Sequence, residues 1–134
     1  QSGDTSGLLV GGNLSMLYSL CGSASDIDTR GKILFLEDLD EYLYHVDRMM
    51  MNLKRTGKLD NLAGLIVGGM SDMRDNTIPF GKDAEQIILE HTVEYGYPIY
   101  FSFEAGHQKL NKALRFGLRA EIKDNRLLLS SNLA

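Results

Sequence analysis

Four carboxylates, Glu37, Asp38, Asp40 and Glu41, fall within five consecutive positions where the apolar run Ile33-Leu34-Phe35-Leu36 ends. Carboxylates orient imidazoles, move protons and stabilise nearby positive charge, so a cluster at a strand end is a candidate site. The simplest reading for three of them is structural. Asp38 or Asp40 would cap a helix beginning near residue 41, and the remaining acids would favour its positive N-terminal end. Glu37 differs because it still belongs to the buried run, where a carboxylate is costly unless it is paired or used. A second candidate is Phe103-Glu104-Ala105-Gly106-His107, where the mostly apolar PIYFSF opens into a glycine-bearing turn. Imidazole titrates nearest neutrality, which suits His107 to general-base work. A surface histidine without a role is the competing reading. His45 and His91 fall inside helical patterns; His91 lies near Ile87 and Ile88, where a hydrogen-bonded packing role fits, and His45 is peripheral.

A nucleophile to go with this acid and base is harder to find. Gly69-Met70-Ser71-Asp72 follows an apolar run, but it lacks the closing glycine of a nucleophile elbow, and a polar loop follows it. Ser71 therefore reads as a loop residue. Cys21, beside Gly and Ser, reads as an ordinary partly buried thiol. Gly7, Gly11 and Gly12 spell neither a dinucleotide fingerprint nor a phosphate-binding loop. Three scattered histidines and a single cysteine give no zinc spacing, so no metal site is expected.

The elements that would carry these residues alternate. Gly7-Leu8-Leu9-Val10 reads as a strand, broken by Gly11-Gly12, after which Asn13 caps a helix through Met16, Leu17 and Leu20. Lys32 to Asp38 forms a second strand, without polar alternation and therefore covered on both faces. Tyr42, Leu43, Val46, Met49, Met50 and Leu53 then recur at helical spacing, a methionine-rich core stripe. Leu62 to Val67 is a third buried strand that stops at Gly68-Gly69. Asp83 with Gln86 forms a capping box opening a third helix, and Tyr97 to Phe103 is a fourth strand. Ala113–Leu118, Arg119–Ile122 and Arg126–Leu129 read as short antiparallel strands with a turn at Asp124-Asn125. The expectation is a single α/β domain over 1–134: a mixed sheet or partly open barrel with helices on one side.

Composition narrows the function. The 134 residues carry 14 Lys and Arg against 18 Asp and Glu, a formal net charge of −4, and the basic residues are dispersed. That argues against nucleic-acid or anionic-membrane partners. No apolar run is long enough to span a bilayer, and QSGDTSG lacks the features of a signal peptide. With one cysteine, a reducing, cytoplasmic setting is expected.

Taken in order, GGNLSMLYSL, KILFLEDLDEYLYHVDRMMMNLK, LAGLIVGGMSDM, PFG and PIYFSFEAGH resemble the C-terminal domain of the LD-carboxypeptidases, the muramoyltetrapeptide carboxypeptidases. The resemblance covers nearly the whole chain. It implies a swivelling β/β/α layered domain that supplies Glu and His to a Ser-Glu-His triad, with the serine and oxyanion hole on an N-terminal domain. The family's strand-end LED element falls on Glu37 and its Gly-His element on His107. The serine would then lie outside these residues, which agrees with the absence of a nucleophile among them. Asn13 is implied to lie near the substrate, though a helix cap explains it equally well. The implied partners are a murein peptide and the nucleophile-bearing domain, with no cofactor; an exposed docking face leaves homodimer formation open. Two alternatives stand: a microcin-immunity-type serine peptidase of the same superfamily, and a non-catalytic binding module.

Overall fold

The computed structural model describes residues 2–130. Strands β1 (Thr5–Asn13), β2 (Ile33–Leu39), β3 (Gly64–Ser71) and β4 (Ile99–Tyr100) run parallel and are joined by helices α1 (Leu14–Leu20), α2 (Leu43–Arg55) and α3 (Ala84–Thr92). The hairpin of β5 (Arg119–Lys123) and β6 (Arg126–Leu129) adds antiparallel to the free side of β1, giving the sheet order β4-β3-β2-β1-β5-β6. The fold is thus α/β, a curled mixed six-stranded sheet with three helices.

Because the four parallel strands add in one direction, right-handed crossovers deliver all three helices to the same face. Alternation along β2 and β3 then divides the core. Leu34, Leu36, Leu65 and Val67 pack under the helices with Val46, Met49, Met50, Leu53, Ile87 and Ile88. Ile33, Phe35 and Ile66 point to the opposite face, where Leu9, Ala105, Ala120 and Ile122 join them. The methionine stripe of α2 is core as its spacing predicts, with Met49 and Met50 fully buried. No helix among the described residues is long and apolar enough to cross a membrane.

Several boundaries differ from those the sequence suggests. Gly11-Gly12 does not break β1, which continues in register beside Phe35 and Leu36 to pair Asn13 with Glu37. The strand needs glycine there, since a Cβ on Gly11 would sit 2.0 Å from the Phe35 carbonyl oxygen. Likewise β3 runs through Gly68-Gly69, which form a bulge: Leu36 pairs with Val67, but Asp38 pairs with Met70. The fourth strand shrinks to two residues because Ser102 takes a left-handed φ of 56° and turns the chain off the sheet. Residues 113–118 form no strand; they end in a turn at Phe116-Gly117, from which Leu118 bonds to Leu9. The Asp124-Asn125 turn is as expected, both residues having positive φ as a tight hairpin demands.

Helix starts divide in the same way. Asp83 and Gln86 form the reciprocal capping box, and Asn13 caps α1 by accepting from the Met16 N–H. Neither Asp38 nor Asp40 caps α2, whose N-cap is Tyr42 with no side-chain bond. Asp38 instead reaches α1, accepting from the Ser15 N–H at 2.9 Å and from Asn13 Nδ2 at 3.0 Å. Asp40 pairs with Arg74 at 2.6 Å and Glu41 with His45 at 2.8 Å.

Candidate active site

The C-terminal ends of β1, β2 and β3 bring Asn13, Glu37, Asp38 and Ser71 to one edge of the sheet. The strand pleat separates the two acids of LED. Asp38 faces the helices, while Glu37, two residues on from Phe35, faces the other layer. Over that layer lies the segment that leaves β4. It is tied to β3 by the Phe103 N–H on the Val67 carbonyl and the Gly69 N–H on the Ala105 carbonyl, both 3.0 Å. The bulge at Gly68-Gly69 frees the second of these donors from the β2 ladder.

This docking carries His107 onto Glu37. The Nδ1 of His107 lies 2.7 Å from Glu37 Oε2, and the His107 main-chain N–H donates to the same oxygen at 3.1 Å. The side chain of Glu37 is 8% exposed and that of His107 is 54% exposed, so a buried acceptor holds the inner edge of an open ring. Gly106 makes the approach possible: its φ is +99°, and a Cβ there would lie 2.7 Å from the Glu37 Cβ. Its N–H donates to Asn111 Oδ1 at 3.1 Å, which closes the turn from the far side. Glu37 is therefore a buried carboxylate satisfied by two donors of one residue, with charge assistance available from the ring.

Hydrogen bonding and charge from Glu37 hold the His107 pKa above the ordinary value; its partial desolvation opposes this, and Asp38 adds a smaller push in the same direction as Glu37. With Nδ1 committed to the carboxylate, the neutral ring carries its proton there and offers Nε2 as a base. Among the described residues Nε2 makes no hydrogen bond. The arrangement can accept a proton on the open side and stabilise the resulting imidazolium from the buried side.

Asn13 is the register partner of Glu37 across β1 and β2, but its amide turns toward α1. Its Oδ1 accepts from the Met16 N–H and the Ser15 hydroxyl, and Nδ2 donates to Asp38. His91, nearly buried, pairs with Asp47 at 2.8 Å between α2 and α3, and His45 pairs with Glu41; neither joins the site. Cys21 terminates α1 with its thiol on the Leu17 carbonyl. Ser71 ends β3 rather than lying in a loop, and its hydroxyl donates to the His107 carbonyl, so it touches that residue's backbone and not its ring. The contacts of Ser71 and of Gln108, whose amide spans the turn, were not legible from residue types. They depend on a bulge and on one left-handed residue. No group of three or more metal-ligating side chains occurs among the described residues.

The sequence model described as LD-carboxypeptidase C-terminal domain matches residues 6–122. The chain belongs to this family. It is 39% identical over 122 residues to the Bacillus subtilis protein named Probable murein peptide carboxypeptidase, a stretch covering 88% of the chain and 37% of that protein. The solved muramoyltetrapeptide carboxypeptidase of Oxalobacter formigenes superposes with a TM-score of 0.83 at 30% identity, covering 96% of the chain and 45% of its own. The microcin C7 self immunity protein MccF, solved in complex with aspartyl sulfamoyl adenosine, superposes with a TM-score of 0.83 at 25% identity, over 96% of the chain and 38% of its own. The chain thus spans less than half the length of each of these proteins. Within the LD-carboxypeptidase C-terminal domain, the Glu37–His107 contact is the feature of the sheet edge best fitted to proton transfer.

Proposed function

We propose that these residues form the base-supplying domain of a serine-type L,D-carboxypeptidase that removes the terminal D-alanine from murein tetrapeptides in the cytoplasm. His107 is the general base and Glu37 its orienting carboxylate. The observation that carries this reading is the double acceptance by Glu37 Oε2 of the His107 ring and main-chain N–H, which leaves Nε2 as the outward base. Family membership and the relatives' names support the substrate class.

In the proposed reaction the serine is supplied by a domain outside these 134 residues. His107 Nε2 takes the hydroxyl proton as the serine oxygen attacks the carbonyl of the bond between an L-residue and D-alanine. Glu37 holds the Nδ1–H tautomer and balances the imidazolium charge. Collapse of the tetrahedral intermediate breaks the peptide bond, and the Nε2 proton passes to the departing D-alanine amine. Water, deprotonated by the same nitrogen, then releases the shortened peptide and restores the serine. This chemistry requires no metal or organic cofactor. Asn13, whose amide has a second N–H beyond the one given to Asp38, is proposed to meet the substrate from the helix side of the same sheet edge.

A microcin-immunity-type peptidase is the second reading, favoured by the backbone similarity to MccF. It would use the same Glu and His on an acylated nucleotide-like compound. The test is incubation of the 134-residue chain with a disaccharide tetrapeptide, alone and with a nucleophile-bearing domain supplied, followed by mass spectrometry. We expect D-alanine release only in the second case. Sustained turnover by the chain alone would overturn the split site and return Ser71 to contention. Cleavage of an aminoacyl nucleotide analogue in place of the tetrapeptide would favour the immunity-type reading.

A further inference from the structure

Three alternate residues of β3 hold three alternate residues of the His107 segment. Val67 accepts from the Phe103 N–H, and Gly69 donates to the Ala105 carbonyl. The next step of this period-two ladder would join residue 71 to residue 107. The Ser71 carbonyl, however, is already bonded to the Asp40 N–H of the chain leaving β2. In its place the Ser71 hydroxyl donates to the His107 carbonyl. The His107 backbone is therefore fixed on both sides, its N–H by Glu37 and its C=O by Ser71. Inside the turn, Gln108 Nε2 donates to the Phe103 and Ala105 carbonyls at 2.6 and 3.0 Å, and its side chain lies against Gly69.

We propose that Ser71 is a positioning residue for His107, its hydroxyl acting as the last rung that sets the imidazole on Glu37. Without that rung the peptide after His107 keeps only a bond inside the turn, the Gln108 N–H on the Gly106 carbonyl at 2.8 Å, and no tie to β3, so Nδ1 loses its fixed line to Oε2. Gln108 and the two backbone rungs keep the rest of the turn in place, so the effect concentrates on residue 107. The catalytic meaning of this role rests on reading His107 and Glu37 as base and orienter; the geometric role does not.

The test is NMR titration of the His107 ring in the 134-residue chain and in its Ser71→Ala and Ser71→Thr variants, with thermal unfolding as a companion measurement. A serine that only ends a strand would change stability and leave the ring's titration alone. In Ser71→Ala we expect the His107 pKa to fall toward that of a free histidine by about half a unit, with a larger share of the Nε2–H tautomer in the neutral ring. Ser71→Thr keeps the hydroxyl and should titrate as the parent does. An unchanged titration in Ser71→Ala would overturn the proposal, and so would equal shifts in both variants, since the hydroxyl would then not be the cause. Neither result would bear on turnover, which separately decides whether His107 is a base.

Discussion

Glu37 and His107 are coupled because one buried oxygen receives two donors from a single residue, and this coupling has a definite sign with pH. Its pKa raised by the Glu37 hydrogen bond and charge, His107 favours folding most fully at pH below its unfolded value. That contribution fades as pH rises through the raised folded value. Replacing Glu37 by Gln keeps an acceptor at the same place but removes the charge. We predict that the His107 pKa in Glu37→Gln falls toward the ordinary value, and that the stability of the variant loses the pH dependence described. NMR titration and denaturant unfolding across neutral pH measure both. A His107 titration indifferent to Glu37 would mean that the 2.7 Å contact does not persist in solution. At this scale the sequence was informative where a residue type conflicts with its surroundings. A carboxylate ending an apolar run must find partners, and Glu37 does. Asp38 reads in sequence as a cap for α2, the helix that follows it, whereas the pleat turns it to α1.

The elements succeed or fail as sequence signals according to how local their causes are. The capping box of α3, the core stripe of α2 and the Asp124-Asn125 turn are set by residues within one or two turns of each other, and all were legible. The double glycines were not. Gly11-Gly12 and Gly68-Gly69 look like breakers, yet both lie inside strands, because what they permit is close approach of distant backbone. At Gly68 a Cβ would lie 2.4 Å from the Ala105 carbonyl oxygen and 2.7 Å from the Phe35 ring. The first of these is backbone and cannot rotate away. We predict that Gly68→Ala destabilises the fold by about 1–3 kcal/mol through overpacking and lifts the His107 segment from β3. Denaturant unfolding reports the first effect. Loss of the Glu37-dependent shift in the His107 titration reports the second. An alanine variant with unchanged stability and titration would show that the segment yields easily and that the bulge does not position it.

Across the molecule, the sheet order sends every helix to one face and leaves the other for the segment bearing His107, so His107 and Glu37 meet at the C-terminal edge where α/β sheets gather their sites. The same edge carries exposed apolar residues, among them Met16, Leu39 and Ile78, the last 85% exposed. In the proposed two-domain enzyme, such side chains would form part of the surface that docks against the nucleophile-bearing domain. The alternation of strands and helices made the architecture legible, and the ordered family motifs made the pairing of Glu37 with His107 expected across 70 residues of sequence separation. The measurement that tests this pairing most directly is D-alanine release from a murein tetrapeptide by these residues joined to such a domain, with Glu37 intact and as Glu37→Gln. A rate reduced on the order of 10⁴-fold, by analogy with acid-to-amide changes in serine triads, is the predicted result. Equal rates for the two proteins would contradict a catalytic role for the Glu37–His107 pair.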